Sequence, residues 1–158
     1  MTDQKIFYLT KEGLVKLKAE YQHLKKLRIL KTEGGLPQVW HSEDLDPEYL
    51  SFQEDMVFIE MRMFELSNVL KNYQLIKVPP KSERGTVNLG ATVIVEVDGQ
   101  QDEFQIVGSL EANPTSGRIS NESPVGKALL GHRLGDKVVL SSPVNVVYRI
   151  KKIKYQLS

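Results

Sequence analysis

Apolar side chains recur along the first half of the chain with the spacing of a long α-helix. From Leu45 to Tyr73 they follow one another at alternating steps of four and three residues, which places them on one side of a single helix. The stripe consists of Leu45, Tyr49, Phe52, Met56, Ile59, Met63, Leu66, Leu70 and Tyr73. The same rhythm occurs upstream in Leu14, Leu17, Tyr21 and Leu24. Because each stripe must be buried, the pattern predicts an antiparallel helical hairpin.

The segment between the two stripes contains residues that break helices. Gly34, Gly35 and Pro37 predict that the first helix ends near residues 31–32. The tip of the hairpin then comprises about residues 32–48, and the function of the hairpin depends on which side chains this tip carries.

The second half of the chain has the shorter period of β-strands. Apolar and polar residues alternate from Ala91 to Val97, which is typical of a sheet with one buried face. Asp98-Gly99 follows, and this dipeptide favours the tight turn of a β-hairpin. The predicted strands cover residues 92–97, 103–107, 137–140 and 144–153, and one short helix is expected over residues 124–131.

These patterns predict an α+β protein with two domains. We assign residues 1–76 to an N-terminal coiled-coil hairpin and residues 77–158 to a small, mostly antiparallel β domain that carries one helix. The Pro-Pro-Lys-Ser stretch at residues 79–82 is interpreted as a short linker between them.

The composition excludes several kinds of chemistry. The 158 residues include no cysteine, which excludes disulfides, thiolate catalysis and thiolate zinc sites and agrees with a reducing cytoplasm. The three histidines are scattered and lack metal-ligand spacing. No apolar run is long enough to span a membrane, and the first residues lack the apolar core of a signal peptide. We therefore expect a cytoplasmic protein that does not contact membranes.

The net charge of +1 conceals a strong segregation of charge. Residues 11–31 contain seven Lys and Arg against two acids, whereas residues 41–65 contain eight acids against one Arg. Attraction between the arms of a coiled coil is one explanation for the charges midway along the helices. It does not explain the four acids within residues 43–48, which repel one another unless something cationic meets them.

Several segments carry a resemblance to a known family. Residues 119–131 read Ile-Ser-Asn-Glu-Ser-Pro-Val-Gly-Lys-Ala-Leu-Leu-Gly and are followed by Gly-Asp-Lys-Val at residues 135–138. Together with residues 87–93 and the Tyr-Leu-Thr-Lys-Glu-Gly start at residues 8–13, they resemble the Gre factors (GreA/GreB), which are bacterial transcript-cleavage and elongation factors. The likeness covers nearly the whole chain, and the long hairpin favours a Gre factor proper over related polymerase-binding regulators.

The resemblance implies an architecture, a partner and a mechanism. In Gre factors the coiled-coil hairpin enters the secondary channel of RNA polymerase, while the FKBP-like β domain docks on the rim of the channel. Acids at the tip help the polymerase hold its second Mg²⁺, and the polymerase then cuts backtracked nascent RNA near its 3′ end. The chain is thus expected to be a monomeric accessory factor, not an enzyme, that contacts the RNA 3′ end and has no cofactor of its own.

The sequence pattern that Gre factors carry at the hairpin tip matches this chain only in part. The family pattern Gly-Asp-Leu-x-Glu-Asn-x-Glu-Tyr corresponds to residues 42–49, where the Asp-Leu and Glu-Tyr pairs match and the segment between them is about two residues shorter. The resemblance implies that Asp44 is the first catalytic acid and Mg²⁺ ligand. Asp46 is ranked second for both roles, and Glu43 and Glu48 follow as further catalytic candidates.

Asp46 also has a purely structural interpretation. Asp46-Pro47-Glu48 is a favourable start for a helix, with Asp46 as the N-cap, Pro47 in the first turn and Glu48 near the positive end of the helix dipole. A cap contributes about 1 kcal/mol, which is sufficient reason for an acid at this position. Both interpretations stay open at the level of the sequence.

In the β domain, Ser123, Pro124 and Gly126 resemble the polymerase-facing loop of the family, although Pro and Gly also have turn and capping roles. The shortened tip leaves a second function open, namely a non-catalytic channel binder that inhibits or modulates RNA polymerase. A freestanding prolyl isomerase is suggested only by analogy of fold, which does not carry function.

Overall fold

The computed structural model describes residues 3–34, 47–141 and 144–156. Their contacts separate into two compact units. The hairpin unit comprises residues 14–72, and the β unit comprises the described residues up to Gly13 together with those from Tyr73 onward. The segment that precedes the first helix therefore belongs with the β unit, whereas the sequence grouped residues 1–76 with the hairpin.

The hairpin unit consists of two long antiparallel helices. Helix α1 spans Lys11–Glu33 and helix α2 spans Pro47–Lys71. Their seam is formed by four buried residues, around which three partly buried side chains of α1 pack. The buried set is Leu24, Ile59, Met63 and Leu66, and the surrounding set is Leu17, Tyr21 and Leu27. Burial of each such side chain contributes about 1.5–3 kcal/mol, so the seam holds the helices together.

The predicted stripe on the second helix is confirmed over most of its length. Leu45 lies outside the described residues, and Tyr73 is a correction, because it begins a β-strand instead of continuing the helix. The helix ends in a 3₁₀-type turn, in which the Asn72 N–H donates to the Val69 carbonyl three residues earlier at 3.0 Å. Helix α1 ends at Glu33, one residue beyond the predicted end.

The β unit is built on a curled five-stranded sheet with the strand order β5-β4-β3-β7-β6. All neighbouring strands pair antiparallel except β4 and β5, which are parallel. The strands are β1 (Phe7–Leu9), β2 (Tyr73–Leu75), β3 (Ala91–Val97), β4 (Gln100–Val107), β5 (Arg118–Ser120), β6 (Lys137–Leu140) and β7 (Val146–Tyr155), and helix α3 spans Pro124–Leu129. Short 3₁₀ helices occur at Lys81–Glu83, Ser109–Glu111 and Pro114–Ser116. The fold is therefore α+β, as the sequence predicts.

The predicted β-hairpin is confirmed between β3 and β4. Asp98 and Gly99 both have positive φ, 49° and 78°, which is the backbone of a type I′ turn. The alternation on β3 is confirmed as well, since Ala91, Val93 and Val95 are fully buried. They form one core with Leu129 of α3 and with the inner residues of β4 and β7.

Two small features of the β unit were not predicted. Strands β1 and β2 pair in parallel, and the Ile76 N–H extends the pairing to the Leu9 carbonyl at 2.8 Å. Strand β5 pairs in parallel with β4. Each of the three strands is three residues long, which is too short for an alternating pattern to be recognised in the sequence.

Candidate functional site

The distal end of the hairpin carries the first candidate site. Pro47 opens α2, as its fixed φ and missing N–H predict for a first helical position, and Glu48 lies exposed in the first turn. A carboxylate there is favoured by the positive end of the helix dipole. Glu43, Asp44 and Asp46 lie outside the described residues. Their position in the chain, between Glu33 and Pro47, places them in the connection between the two helices.

Ion pairs across the seam fix the two helices against each other. Arg62 donates from Nε and Nη2 to the Oε1 and Oε2 atoms of Glu20 at 2.7 and 3.1 Å, and from Nη1 to Glu65 at 3.2 Å. The hydrogen bonds to Glu20 raise the pKa of the Arg62 guanidinium. Nearer the tip, Lys31 donates to Asp55 at 2.7 Å. The segregated charges thus supply cross-helix pairs, and the pairs are partly exposed, so each contributes about 0–1 kcal/mol.

The second candidate site is the loop before α3 in the β unit. Ser123 caps the helix, because its Oγ accepts a hydrogen bond from the Gly126 N–H at 3.1 Å. The Ser123 hydroxyl in turn donates to the Ser120 carbonyl at 2.6 Å, which ties the cap to the end of β5. Pro124 occupies the first helical position and is exposed. The loop therefore presents Pro124 on a rigidly capped turn.

Gly126 has a structural role that the sequence did not reveal. A Cβ atom at this position would lie 2.0 Å from the Ser120 carbonyl oxygen, so only glycine allows α3 to approach the end of β5 this closely. The residue is buried. This packing explains a glycine at position 126, and its expected contribution to polymerase binding stays a prediction.

The turn after α3 contains a hydrogen-bonded acid. The Asp136 carboxylate accepts from the Arg133 N–H at 2.8 Å, and His132 Nδ1 lies 3.3 Å from the same oxygen. The hydrogen bond from Arg133 is the main reason that the pKa of Asp136 is lowered, and the contact with His132 adds to it. This turn also connects to β7, since Ile150 N–H donates to the Asp136 carbonyl at 3.0 Å.

Because the pKa of Asp136 is lowered by folding, its carboxylate stabilises the fold above the ordinary Asp pKa of about 3.9 and loses this effect as the pH falls further. We expect Asp136→Asn to flatten the fall in the free energy of unfolding below about pH 4. Part of the fall should persist, because a hydrogen bond from Lys151 lowers the pKa of Glu96 in the same sense. Urea unfolding across this pH range measures the effect, with the exposed Glu103→Gln as the matched control. An unchanged pH slope in Asp136→Asn would contradict the prediction.

A partly buried acid, Glu111, binds the residue that precedes α1 within the β unit. Glu111 accepts from the Thr10 N–H at 2.7 Å, from the Thr10 hydroxyl at 2.6 Å and from Arg118 Nη2 at 3.1 Å. Thr10 also caps the helix, since its Oγ1 accepts from the Gly13 N–H at 3.0 Å. No spacing pattern predicts this cluster, because Thr10 and Glu111 lie about a hundred residues apart in the chain.

A cleft of about 310 Å³ lies beside this cluster in the β unit. Among the described residues that line it, Tyr155 is the one aromatic, and the charged ones are Lys11, Glu12, Lys77 and Arg118. The Tyr155 hydroxyl already donates to the Thr86 carbonyl at 2.5 Å, and burial raises its pKa. Ile76 and Val78 line the cleft beside these charged residues, so apolar and polar side chains are mixed, and the prolyl isomerase rests on analogy of fold alone.

The described residues 3–34, 47–141 and 144–156 contain no group of three or more His, Asp or Glu side chains that could hold a metal ion. Within the same ranges, neither long helix has an apolar stretch of the kind that crosses a bilayer.

Comparisons with known proteins identify similar chains. Residues 81–155 match the family model described as transcription elongation factor, GreA/GreB, C-terminal. The transcription elongation factor GreA of Thermomicrobium roseum is 41% identical over 137 residues, which cover 85% of this chain and 88% of the relative. GreA of Listeria welshimeri is 35% identical over 165 residues, covering 97% and 98%. The crystal structure of GreA factor homolog 1 of Thermus thermophilus is 28% identical, with coverage of 95% and 99% and a TM-score of 0.42.

Proposed function

The chain belongs to the GreA/GreB family of transcription elongation factors, and we propose that it stimulates the cleavage of backtracked nascent RNA by RNA polymerase. In this proposal the hairpin enters the secondary channel of the polymerase, and the hydrolysis is performed by the polymerase. The observation that carries the proposal is a long hairpin with a buried apolar seam, whose connecting segment holds three acids next to the exposed Glu48.

The hairpin of this chain acts as a spacer with a defined reach. Its seam of buried residues and the pairs Glu20–Arg62 and Lys31–Asp55 hold α1 and α2 side by side. Helix α2 continues for 25 residues, which corresponds to about 37 Å at 1.5 Å per residue. A rod of this length is suited to carry side chains from a docking surface to a buried active centre.

The carboxylates near the tip suit the chemistry that the family implies. Mg²⁺ takes hard oxygen ligands and usually keeps several positions for water and substrate, so a site shared between two proteins fits its preference. When bound, Mg²⁺ stabilises the attacking and leaving oxygens of a phosphodiester. Asp44, Asp46, Glu43 and Glu48 are oxygen donors only, and we assign Asp44 and Asp46 as the residues that would hold the ion together with the polymerase.

We assign docking on the channel rim to the β unit. Pro124 is exposed on a turn that Ser123 caps, and the core behind α3 includes the fully buried Leu129. A preformed turn loses little conformational entropy on binding, which favours its use as a contact surface.

The proposal is tested with halted, backtracked complexes of the RNA polymerase from the same organism. Addition of the purified wild-type protein is expected to release short RNA fragments that carry the original 3′ end, and to leave a transcript that the polymerase can extend. Release should require Mg²⁺ and should not occur with RNA alone, because the chain itself is not the nuclease.

A different result would favour the second function. The connection at the tip is about two residues shorter than the family pattern, which weakens the match at the acids. If the protein binds the polymerase, releases no fragment and slows elongation, then its function is that of a non-catalytic channel binder and not that of a cleavage factor.

A further inference from the structure

Helix α2 carries a second apolar stripe on the side that faces away from the seam. Val57, Met61 and Phe64 follow one another at steps of four and three residues, and Leu50 stands seven residues before Val57. These four residues, which we call the outer stripe, lie about half a turn around the helix from the seam. Val57, Met61 and Phe64 are 57%, 61% and 76% exposed, and Phe58 beside Met61 is 66% exposed. Single exposed apolar residues are ordinary, but a contiguous group of large ones marks an interaction surface.

The flanks of the outer stripe are acidic. Glu54 and Glu60 are exposed on its two sides, and among the described residues neither makes an ion pair. The only Lys or Arg within residues 50–68 is Arg62, and its guanidinium already binds Glu20 of α1. The outer stripe therefore presents apolar side chains with negative charge on both sides.

The negative flanks limit what can cover the outer stripe. RNA, DNA and anionic lipid surfaces carry negative charge, which the glutamates repel. A second copy packed through its own outer stripe would bring glutamates against glutamates, which is unfavourable as well. The occupant that fits is a protein segment whose apolar side chains are flanked by Lys or Arg. Because the outer stripe has the steps of four and three that helix packing uses, this segment is expected to be an α-helix.

We propose that the outer stripe is a docking surface for a basic amphipathic helix of RNA polymerase. The identity of the partner rests on the proposed function, whereas the docking itself does not depend on RNA cleavage. Burial of the apolar side chains supplies the affinity. The flanking glutamates set the orientation of the partner helix and raise the rate of encounter.

Equilibrium binding of the full chain to RNA polymerase from the same organism tests the apolar contact. Met61→Ser combined with Phe64→Ser should raise the Kd by about tenfold or more, mainly through faster dissociation. Val15→Ser combined with Leu30→Ser is the matched control, since these residues of α1 are 67% and 65% exposed and stand far apart on that helix. The control should bind as the wild type does. Circular dichroism shows that each variant keeps its helices, and an equal loss of binding in both double variants overturns the proposal.

Neutralising the glutamates tests the sign of the partner's charge. Glu54→Gln combined with Glu60→Gln should raise the Kd by about threefold or more at low ionic strength, and the difference should shrink as salt screens the charges. Asp102→Asn combined with Glu103→Gln removes two exposed acids from β4 and should leave the Kd unchanged. Tighter binding by the Glu54 and Glu60 double variant would show an acidic partner surface and overturn the proposal.

A photoreactive benzoylphenylalanine in place of Met61 identifies the occupant directly. Irradiation of the complex should join position 61 to a polymerase helix that carries Lys or Arg beside its apolar residues. A crosslink to RNA, to DNA or to a second copy, or no crosslink in a complex that has formed, overturns the proposal.

The outcomes separate this inference from the proposed function. If the serine substitutions at Met61 and Phe64 weaken binding but the wild type releases no RNA fragment, the docking surface stands and the cleavage function fails. If these substitutions leave binding unchanged while fragments are released, cleavage stands and the docking surface is overturned. A wild-type chain that does not bind the polymerase overturns both.

Discussion

Replacement of Asp44 by alanine is expected to lower the rate of stimulated RNA cleavage by about 100-fold or more. Removal of one preorganised group that stabilises developing charge typically costs about 10²–10³ in rate. Binding to the polymerase should change little, because the proposed docking depends on the β unit and on the body of the hairpin. Fragment release from backtracked complexes measures the first effect, and competition for polymerase binding measures the second.

Asp55→Ala is the matched control for Asp44→Ala. It removes an acid from the same acidic stretch, but one that pairs with Lys31 on the side of the hairpin. The loss of a partly exposed ion pair costs about 0–1 kcal/mol, so cleavage should persist. Equal loss of cleavage in both variants would contradict a specific role for Asp44.

The two interpretations of Asp46 can be separated by one substitution. Serine caps a helix about as well as aspartate does but has no carboxylate. If Asp46 is a cap only, Asp46→Ser should cleave like the wild type. If it holds the ion, Asp46→Ser should be as defective as Asp46→Ala.

Gly126→Ala is expected to destabilise the β unit. The new Cβ would lie 2.0 Å from the Ser120 carbonyl oxygen, so α3 or the end of β5 must move. Such overpacking costs about 1–3 kcal/mol, and for a chain of this size it should lower the melting temperature by roughly 2–12 °C. Thermal unfolding followed by near-ultraviolet circular dichroism measures the shift.

Gly85→Ala provides the matched control for the glycine substitution. A Cβ at position 85 meets no atom within 4 Å, so the melting temperature should stay within the scatter of the wild type. If Gly126→Ala melts like Gly85→Ala, then the close approach of α3 to Ser120 does not determine glycine at position 126.

The long helices were predictable because their pattern is redundant. The seam repeats over many turns of α2, so an error at one position such as Tyr73 does not alter the assignment. The β3–β4 hairpin was predictable for another reason, since Asp-Gly strongly favours the tight turn with positive φ that Asp98 and Gly99 adopt. In both cases local sequence determines local structure.

Tertiary contacts could not be predicted in the same way. The need for glycine at position 126 depends on the Ser120 carbonyl, and the anchoring of Thr10 depends on Glu111. Neither contact leaves a spacing signal in the sequence. The exposed apolar residues Val57, Met61 and Phe64 of α2 were also not predicted, because the sequence analysis considered only the apolar stripe that forms the seam.

The candidate site, too, was predictable where the signal is local in the sequence and not where it depends on the fold. The crowding of acids within residues 43–48 and the resemblance to a family pattern are properties of the sequence, and they select Asp44 without any geometry. The sequence ranks Asp46 second, but which acid assists Asp44 depends on where the folded chain places each carboxylate.

The parallel pairing of β1 with β2 has a consequence for how this protein varies over evolution. The hairpin connects β1 to β2 along the chain, and because β1 and β2 pair, the two strands that flank the hairpin lie side by side within the β unit. Insertion or deletion of one heptad in each helix would keep the apolar seam in phase and would leave these strands unchanged. The arm can therefore be lengthened or shortened in steps of about 10 Å while its attachment is preserved.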